Sequence, residues 1–333
     1  RYDPQHHGLA EPPAFAPKFP QAVELTTLLR LGDPAARALV TATLDAMQQG
    51  GMHDQVGFGF HRYSTDRAWR VPHFEKMLYD NALLASLYAE AFVATGEPRF
   101  AATARTTLDY LLRELRSPHG GFFASQDAQS DGREGAYFVW RRSEFDALFG
   151  ERAAAAARCF GVTADGNFDG ANVLCLAAES ALAAVERERC RTRLFEARQQ
   201  RVAPAIDDKL LAGWNGLTLV ALCDGFRALG EQRYREAARA LGAFACDVLI
   251  VDGRVHRSAH GREARGHGFL EDHAALADGL LALFEIDPEP RWLSTAAVLL
   301  RGLEPHFGAS DGSFWFTPDD QTTSLVRSKT AHD

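Results

Sequence analysis

The chain has 333 residues, of which 46% are hydrophobic and 24% are charged, a composition typical of a soluble globular protein. Its 36 Lys and Arg residues against 44 Asp and Glu residues give a net charge of −8, and no basic block offsets it, so nucleic acid and anionic membranes are not expected partners. The longest apolar run, residues 210–222, is broken by Asn215 and is too short to cross a bilayer, and no signal peptide opens the chain. These absences favour a cytoplasmic protein.

The cysteines and the chain ends add two expectations. The five cysteines are odd in number and lack any CxxC spacing, so we expect small, reduced, buried side chains rather than a zinc site or disulfides. The sequence begins at Arg1 without a methionine and stops at Asp333, so we expect a portion of a longer protein.

A short turn signature recurs between predicted helices. In each copy Gly or Pro ends one helix, and an acid occupies the positive N-terminal end of the next, often beside a Pro that the first helical turn tolerates. Repetition at long intervals indicates stacked helical hairpins, with about eleven helices in all. The copies lie at residues 32–34, 96–98, 150–152, 230–232 and 288–290.

Helices that are apolar nearly all round alternate with amphipathic ones. The first kind is predicted at residues 81–94, 210–229 and 269–284, as expected for helices buried on two faces. Residues 108–115 and 237–248 instead carry one apolar stripe. This alternation predicts an all-α fold in two concentric layers, an (α/α)6 toroid of six helix hairpins whose last hairpin is incomplete.

Glycine turns follow several amphipathic helices and lead into short aromatic or β-branched runs. Residues 120–123, 252–255 and 311–315 are examples, and we expect short β-hairpins there. In a double ring, every connection from an outer helix to an inner helix falls at the same end. The long polar loops are therefore expected to converge on one mouth, although they are far apart in sequence.

Residues 50–84 form the most informative of these loops. They hold three histidines, four acids, three arginines and several aromatic residues, interrupted by Gly and Pro, before an apolar helix. Long irregular connections are usually functional or disordered, and disordered segments are poor in aromatic residues. The loop is therefore expected to be ordered and part of a site.

Four polar segments on these connections supply the candidate site. Carboxylates across a mouth can act as general acid and base, because different environments separate their pKa values. The acid–base candidates are His73, Asp80, Asp127, Asp208 and Asp272. Aromatic faces suit sugar rings, while polar side chains hydrogen-bond to hydroxyl groups. The candidates for substrate binding are His61, Arg62, Tyr63, Trp69, Glu75, Tyr79, Asn81, Glu134, Trp214, Asn215, Glu271 and His273.

Each candidate also has a structural interpretation. Asp80 and Asp208 near helix starts are equally well explained as caps or first-turn acids, as are Glu271 and Asp272. A tryptophan such as Trp214 is individually more often part of the core, and a histidine is more often a satisfied structural residue. The histidine and acid spacing matches no zinc template, and no phosphate loop or GxSxG motif is present, so neither a metal nor a cofactor is expected.

Several motifs resemble the family of spermatogenesis-associated, thioredoxin-domain-containing proteins. The most specific is VPHFEKMLYDN at residues 71–81, preceded by HRYSTD at residues 61–66. Further matches are APKFP at 16–20, SQDA at 125–128, EG at 134–135, YFVW at 137–140, DDK at 207–209, WNG at 214–216 and GFLEDH at 268–273.

The resemblance implies an (α/α)6 barrel similar to N-acylglucosamine 2-epimerases and other six-hairpin sugar enzymes. It also implies a thioredoxin-like domain in the full-length protein. Residues 1–20 would then be an extension from a preceding domain, and residues 21–333 a barrel domain truncated at its C-terminus.

The function expected from these observations is acid–base chemistry on a small sugar or sugar derivative, as in a sugar isomerase or epimerase. Glycoside hydrolysis is the alternative within the enzyme class and would require two carboxyl groups about 5–10 Å apart. The non-enzymatic alternative is a ligand-sensing or partner-binding module attached to the thioredoxin-like domain, because one fold hosts many functions.

Overall fold

The computed structural model describes residues 1–177, 182–320 and 327–329, and these residues are rich in helix. The α-helices are α1 Ala22–Arg30, α2 Pro34–Gln49, α3 Leu78–Thr95, α4 Pro98–Tyr110, α5 Arg142–Phe149, α6 Ala153–Cys159, α7 Ala184–Arg198, α8 Ala212–Leu229, α9 Gln232–Phe244, α10 Leu270–Ile286 and α11 Pro290–Phe307. π-Helical turns at Leu111–Leu115 and Ala245–Leu249 extend α4 and α9, and a 3₁₀ turn at Gly150–Arg152 joins α5 to α6.

The strands are short, and most have two residues. They are β1 Tyr63–Ser64, β2 Pro72–His73, β3 Lys76–Met77, β4 Ser125–Gln126, β5 Gln129–Ser130, β6 Arg133–Glu134, β7 Ile206–Asp207, β8 Leu210–Leu211, β9 Ile250–Val251, β10 Arg254–His260 and β11 Glu263–His267. The described residues are therefore a helical framework with small antiparallel elements in its connections.

The chain divides into two compact units. The first unit is Arg1–Asp80 with Gln126–Ala205, and the second unit is Asn81–Ser125 with Ile206–Asp333. Each unit thus combines two separate stretches of sequence. Within the described ranges, every helix falls short of the length and apolarity that crossing a bilayer requires.

The first unit is built on α1, α2 and the α5–α7 region. One apolar cluster of this unit packs the aromatic side chains of α5, Phe145 and Phe149, against Phe160 and against Leu194 of α7. The N-terminal segment belongs to this unit, because the buried Asp3 carboxylate accepts hydrogen bonds from Lys18 Nζ at 2.8 Å and Arg67 Nη2 at 2.7 Å. Residues 1–20 are therefore anchored in the first unit.

The second unit is built on α8–α11. α8 and α10 pack against each other, and buried residues line several faces of both helices, as expected from their apolar sequences. A small antiparallel sheet has the order β11-β10-β8, with β9 also paired to β10. Asp252 and Gly253 have positive φ angles of 50° and 76° in the tight turn from β9 to β10, where a hairpin was expected.

Several helices begin at the predicted turns. In α2, Pro34 occupies the first position and Asp33 Oδ2 accepts a hydrogen bond from the Ala36 amide at 2.8 Å. α4, α9 and α11 likewise begin directly after Glu97, Glu231 and Glu289. Local chemistry at these turns therefore sets where the helices start, while the closed ring of six hairpins stays a prediction.

All five cysteines are free thiols in the described residues. Cys159, Cys190 and Cys223 are buried, as expected, whereas Cys175 and Cys246 are partly exposed. Burial raises the pKa of the Cys223 thiol and, to about 11, that of Cys175, so neither is an activated nucleophile.

We expect Gly216→Ala to destabilise the second unit by about 1–3 kcal/mol, because α8 and α10 touch through main-chain atoms there. A Cβ atom on Gly216 would lie 2.5 Å from the carbonyl carbon of Ala275, a contact that only a shift of one helix could relieve. The matched control is Gly302→Ala inside α11, where a Cβ would meet nothing closer than 3.9 Å. The unfolding free energy of the control should rise by about 0.5–1 kcal/mol, because alanine has a higher helix propensity than glycine. Equal denaturation midpoints for the two variants would contradict the tight crossing.

Candidate functional site

The predicted site residues are shared between the two units. The first unit contains His61, Arg62, Tyr63, Trp69, His73, Glu75, Tyr79, Asp80, Asp127 and Glu134, and the second contains Asn81, Asp208, Trp214, Asn215, Glu271, Asp272 and His273. Each group is described within its own unit. Convergence of the two groups on one mouth stays a prediction.

The β1–β2 pair positions the central residues of the first unit. Its antiparallel register places Tyr63 opposite His73 and Ser64 opposite Pro72. Just beyond the pair, the Arg62 amide donates to the Glu75 carbonyl at 2.8 Å. This pairing holds the HRYSTD and VPHFEK motifs side by side, so their polar side chains form one cluster.

His73 lies between two carboxylates in this cluster. Its Nδ1 atom is 2.7 Å from Glu134 Oε1, and its Nε2 atom is 3.8 Å from Glu75 Oε2. The Tyr63 ring stacks on the imidazole with centroids 5.1 Å apart. Because a carboxylate only accepts hydrogen bonds, Glu134 favours the tautomer with the proton on Nδ1, which leaves Nε2 able to take up a proton.

Asp80 lies in the first turn of α3 and is the most perturbed acid of the cluster. Its Oδ2 atom is shielded from solvent and has no hydrogen-bond partner among the described residues. Burial, with a smaller repulsion from Glu75, raises the pKa of the Asp80 carboxyl to about 8 in spite of the opposing charge of Arg62. Asp80 is therefore mostly protonated near neutral pH, and a neutral carboxyl can donate a hydrogen bond.

Arg62 supplies a second open donor beside Asp80. Its Nη1 atom pairs with Glu75 Oε2 at 3.1 Å, and the Tyr79 side chain hydrogen-bonds with both Arg62 and Asp80. Its Nε atom, however, is shielded from solvent and has no partner among the described residues. Buried polar atoms are normally hydrogen-bonded, so two open atoms in one cluster indicate a place for a ligand.

Replacing Asp80 by asparagine should change stability in a pH-dependent way. The native pKa of about 8 lies above the unfolded value of about 3.9, so the folded state holds this proton more tightly and loses stability as pH rises between those values. The parent protein loses this stability as pH rises, but the Asp80→Asn variant does not. The difference in unfolding free energy, variant minus parent, should therefore increase by more than about 1 kcal/mol between about pH 5 and pH 8. Urea unfolding at both pH values measures the difference.

Asp127→Asn is the control for this experiment, because it removes an exposed carboxyl from the same unit. As an exposed substitution, it should change the unfolding free energy by no more than about 0.5 kcal/mol at either pH. A pH-independent difference between the Asp80→Asn variant and the parent protein would show that Asp80 is ionised at neutral pH.

Other predicted residues of the first unit lie outside this cluster or in the core. Asp127 Oδ1 accepts a hydrogen bond from the Gln129 amide at 2.9 Å in an exposed turn. His61 is buried, donates from Nδ1 to the Phe74 carbonyl at 2.9 Å and has its pKa lowered by burial to about 3. Trp69 is 1% exposed and donates from its indole nitrogen to the His6 carbonyl at 3.1 Å. The geometry favours structural roles for His61 and Trp69 over the predicted substrate contacts.

In the second unit, Asp272 is fully buried, and both of its carboxylate oxygens accept hydrogen bonds. Oδ1 accepts hydrogen bonds from the Gly213 amide and from Arg257 Nη1, both at 2.8 Å, and Oδ2 accepts one from the Phe269 amide at 2.8 Å. These contacts join the start of α10 to the start of α8. Burial raises the pKa of Asp272 against the attraction of Arg257, but no oxygen is left open. A structural role fits this geometry better than the predicted acid–base role.

The side chains of Asn215 and His273 likewise form hydrogen bonds with backbone groups. Asn215 accepts from the Phe122 amide at 2.7 Å and donates to the carbonyls of Phe122 and Leu211 at 3.0 and 2.8 Å. His273 donates to the Phe269 carbonyl at 2.9 Å and accepts from the Val255 amide at 3.2 Å. Both side chains therefore hold the backbone of the second unit rather than face a ligand.

The remaining residues of the second unit differ in exposure. Asp208 is exposed, with His260 Nδ1 3.6 Å from its Oδ1 atom, and Glu271 pairs with Arg257 at 2.7 Å near the surface. Trp214 is half-buried, whereas Asn81 is fully buried. Asp208, Trp214 and Glu271 are thus the candidates of this unit that a ligand could reach.

One buried charge cluster was not selected from the sequence. The Asp54 carboxylate accepts hydrogen bonds from Lys76 Nζ and Arg198 Nη1, both at 2.8 Å, and all three side chains are at most 5% exposed. The two cations hold the pKa of Asp54 well below its usual range. Asp54 and Lys76 lie in the informative 50–84 loop, but nothing in the sequence around Arg198 marks it as their partner. Among the described residues, no three His, Cys, Asp or Glu side chains come together to hold a metal ion.

Comparison with known sequences identifies homologues but no family model matches the chain. The chain is 36% identical to spermatogenesis-associated protein 20 of Homo sapiens, over 95% of this chain and 47% of that protein. It is 35% identical to the Mus musculus protein of the same name, over 89% of this chain and 44% of that protein. These proteins are homologues of the chain. The chain spans about half the length of the curated relatives it matches.

Solved structures show similarity of fold. An inactive variant of the α-1,6-mannanase of Salegentibacter sp. HEL1_6, in complex with α-1,6-mannotriose, matches with a TM-score of 0.57 at 12% identity, over 92% of this chain and 70% of that chain. The unsaturated glucuronyl hydrolase of Bacillus sp. GL1 matches with a TM-score of 0.54 at 12% identity, over 89% and 64%. The helix-rich chain therefore has structural neighbours of the (α/α)6 barrel type, and at such identities the similarity concerns fold alone.

Proposed function

We propose that the first unit carries the acid–base centre of a carbohydrate-active enzyme domain with sugar isomerase or epimerase chemistry. The observation that carries this proposal is the pair of open, shielded atoms, Asp80 Oδ2 and Arg62 Nε, in the same cluster as a histidine oriented by a carboxylate. Open polar atoms and a perturbed pKa in one place are typical of functional sites.

His73 is the proposed base. Isomerisation and epimerisation of a sugar begin with removal of a proton from the carbon next to a carbonyl group. With Glu134 accepting from Nδ1, the lone pair on Nε2 can take that proton, and the carboxylate stabilises the imidazolium that forms. The proton returns to carbon from this imidazolium or, for inversion, from an acid on the opposite face.

Asp80 and Arg62 are the proposed partners of the substrate oxygen. When the proton leaves carbon, negative charge develops on the former carbonyl oxygen, and donors placed there lower the barrier. A carboxyl with a pKa of about 8 is neutral near pH 7 and can donate to that oxygen, as can the open N–H of Arg62. Tyr63, Glu75 and Tyr79 complete the proposed centre.

A cleft in the same unit offers room for the rest of the substrate. It has a volume of about 710 Å³, and Glu134, the partner of His73, is one of its lining residues. Ser130, Arg133 and Arg141 supply polar groups, and Phe168 supplies an apolar face. A mixture of donors, acceptors and one aromatic ring suits a polyhydroxylated ligand better than an apolar one.

The proposal also includes further substrate contacts, a thioredoxin-like domain and a cytoplasmic location, for which the described residues offer less support. Asp127, Asp208 and Trp214 are accessible side chains that could contact a sugar. A thioredoxin-like domain in the longer protein is proposed from the family resemblance alone. A cytoplasmic location likewise stays a proposal.

Glycoside hydrolysis is the second candidate. The observation in its favour is that structures with TM-scores above 0.5 include a mannanase and a glucuronyl hydrolase. In that reaction protonated Asp80 would donate its proton to the leaving oxygen, and a neighbouring carboxylate would act on the sugar carbon or on water.

Incubation of the chain with a panel of reducing sugars in D₂O, followed by proton NMR, tests these functions. Isomerase or epimerase activity should exchange the proton next to the carbonyl for deuterium, whereas hydrolysis of glycosides should release reducing sugar without exchange. We expect Asp80→Asn and His73→Asn each to lower kcat at least about 100-fold, the effect of losing a general acid or base. Glu11→Gln, an exposed change in the same unit, should keep the parental rate.

The outcomes separate the candidates. Sugars that raise the melting temperature without exchange or hydrolysis would favour a ligand-sensing module. If no sugar binds, and both variants match the parent protein in every assay, the carbohydrate proposal is wrong.

A further inference from the structure

A second cleft, in the second unit, carries an unusual concentration of positive charge for an acidic protein. The cleft has a volume of about 580 Å³, and its lining includes Arg116, His119 and Arg262. Among the described residues that line the cleft, Asp247 is the only acid, and its carboxylate pairs with Arg291. The chain as a whole has a net charge of −8, so the positive charge of this cleft is opposite in sign to that of the protein.

The two arginines are available to a ligand. Within residues 1–177, 182–320 and 327–329, neither the Arg116 nor the Arg262 side chain has a hydrogen bond or ion pair, and both residues are exposed. By contrast, Arg257 and Arg265, on the strands either side of the Arg262 turn, are both paired with glutamates. Open guanidinium groups are therefore not general among the arginines of this region.

The backbone brings these side chains together from three separate segments. Arg116 follows the π-helical turn Leu111–Leu115, and Asp247 lies in the other π-helical turn, Ala245–Leu249. Arg262 lies in the turn between β10 and β11, next to Gly261, where a Cβ atom would be 3.6 Å from His119 Nε2. π-Helical turns are rare and occur frequently at functional sites, and here two of them border one cleft.

We propose that this cleft binds the phosphate group of a small phosphorylated molecule or free phosphate. Two guanidinium groups can each form paired hydrogen bonds with phosphate oxygens, and an imidazole adds a third donor. Because Asp247 is neutralised by Arg291, no acid of the lining opposes an anion. The site belongs to the second unit and does not depend on the acid–base centre proposed for the first.

Calorimetric titration of the 333-residue chain tests this proposal with three probes: inorganic phosphate, glucose 6-phosphate and glucose. We expect saturable binding of both phosphate compounds, weakened by added salt, and no binding of glucose at this site. Arg116→Gln and Arg262→Gln should each weaken phosphate binding at least about tenfold, since each removes charge-assisted hydrogen bonds. Arg265→Gln, on the same hairpin but outside the cleft lining, is the matched control and should bind as the parent protein does.

The two phosphate probes distinguish the sources of the ligand. Tighter binding of glucose 6-phosphate identifies a phosphate ester as the ligand, and equal binding identifies free phosphate. The proposal is overturned if phosphate shows no saturable binding up to about 10 mM, or if both cleft variants bind it as tightly as the Arg265→Gln control. Thermal melts of all variants confirm that these exposed substitutions leave the fold intact.

Discussion

Replacing Asp54 by alanine should cost the protein roughly 3–5 kcal/mol of unfolding free energy, the effect of leaving buried charges without their partner. Asp54 accepts hydrogen bonds from Lys76 and Arg198, and also from the amides of Val56 and Gly57 at 3.0 and 3.1 Å. Removal of the carboxylate leaves a buried ammonium and a buried guanidinium side by side, and each loses its counter-ion.

Denaturant unfolding of the Asp54→Ala variant measures this loss. The matched control is Asp146→Ala in the same unit, which removes an exposed ion pair with Arg142 and should cost less than about 1 kcal/mol. The pKa of Asp54 is lowered in the folded state, so its contribution is present above about pH 4 and is lost as pH falls through the folded value. Comparable losses for the two variants would show that the buried cluster contributes little.

Asp272→Ala is expected to be similarly damaging, again by roughly 3–5 kcal/mol of unfolding free energy, because a buried carboxylate that accepts three hydrogen bonds is lost. Its loss leaves the Gly213 and Phe269 amides without acceptors at the starts of α8 and α10. It also removes one of the two carboxylates that neutralise Arg257. The loss therefore falls on the junction of the two most buried helices of the second unit.

Glu271→Ala is the control for Asp272→Ala, since it removes the adjacent, exposed partner of the same arginine. It should cost less than about 1 kcal/mol. Thermal and urea unfolding of both variants distinguishes a structural Asp272 from a catalytic one. An Asp272→Ala protein with parental stability but no activity would restore the acid–base role that the sequence predicted.

Features set by neighbouring residues could be predicted from the sequence. The turns before α2, α4, α9 and α11 depend on Gly, Pro and an acid within a few positions, and the helices begin there. The turn between β9 and β10 depends only on Asp252 and Gly253. Such features are encoded locally, so chain order is enough to find them.

Features that depend on burial could not be predicted in the same way. The aromatic side chain of Trp69 is of the type that stacks on sugar rings, yet the N-terminal segment covers its indole ring. The WNG motif predicts a substrate contact at Asn215, but its side chain hydrogen-bonds to the backbone of Phe122, 93 residues away, and to the Leu211 carbonyl. Polar and aromatic residue types serve cores and sites equally well, and only the fold decides which.

The candidate site illustrates both cases. His73, Glu134, Arg62 and Asp80 were all selected as site residues, but their pairing was not predicted, because His73 and Glu134 are 61 residues apart. The raised pKa of Asp80 arises from the loss of water around its carboxyl group, which no spacing in the sequence reveals. The motifs thus indicate which residues to consider, whereas the protonation state proposed for Asp80 depends on its burial in the fold.

The Asp54 cluster has a consequence for the order in which the first unit is assembled. The carboxylate meets a cation 22 residues away at Lys76 and another 144 residues away at Arg198. Burying any of these groups before its partner is in place would leave an unpaired charge in a medium of low dielectric constant. A partly folded intermediate of this kind is therefore high in free energy. The early and late stretches of this unit should consequently acquire their final structure in one concerted step.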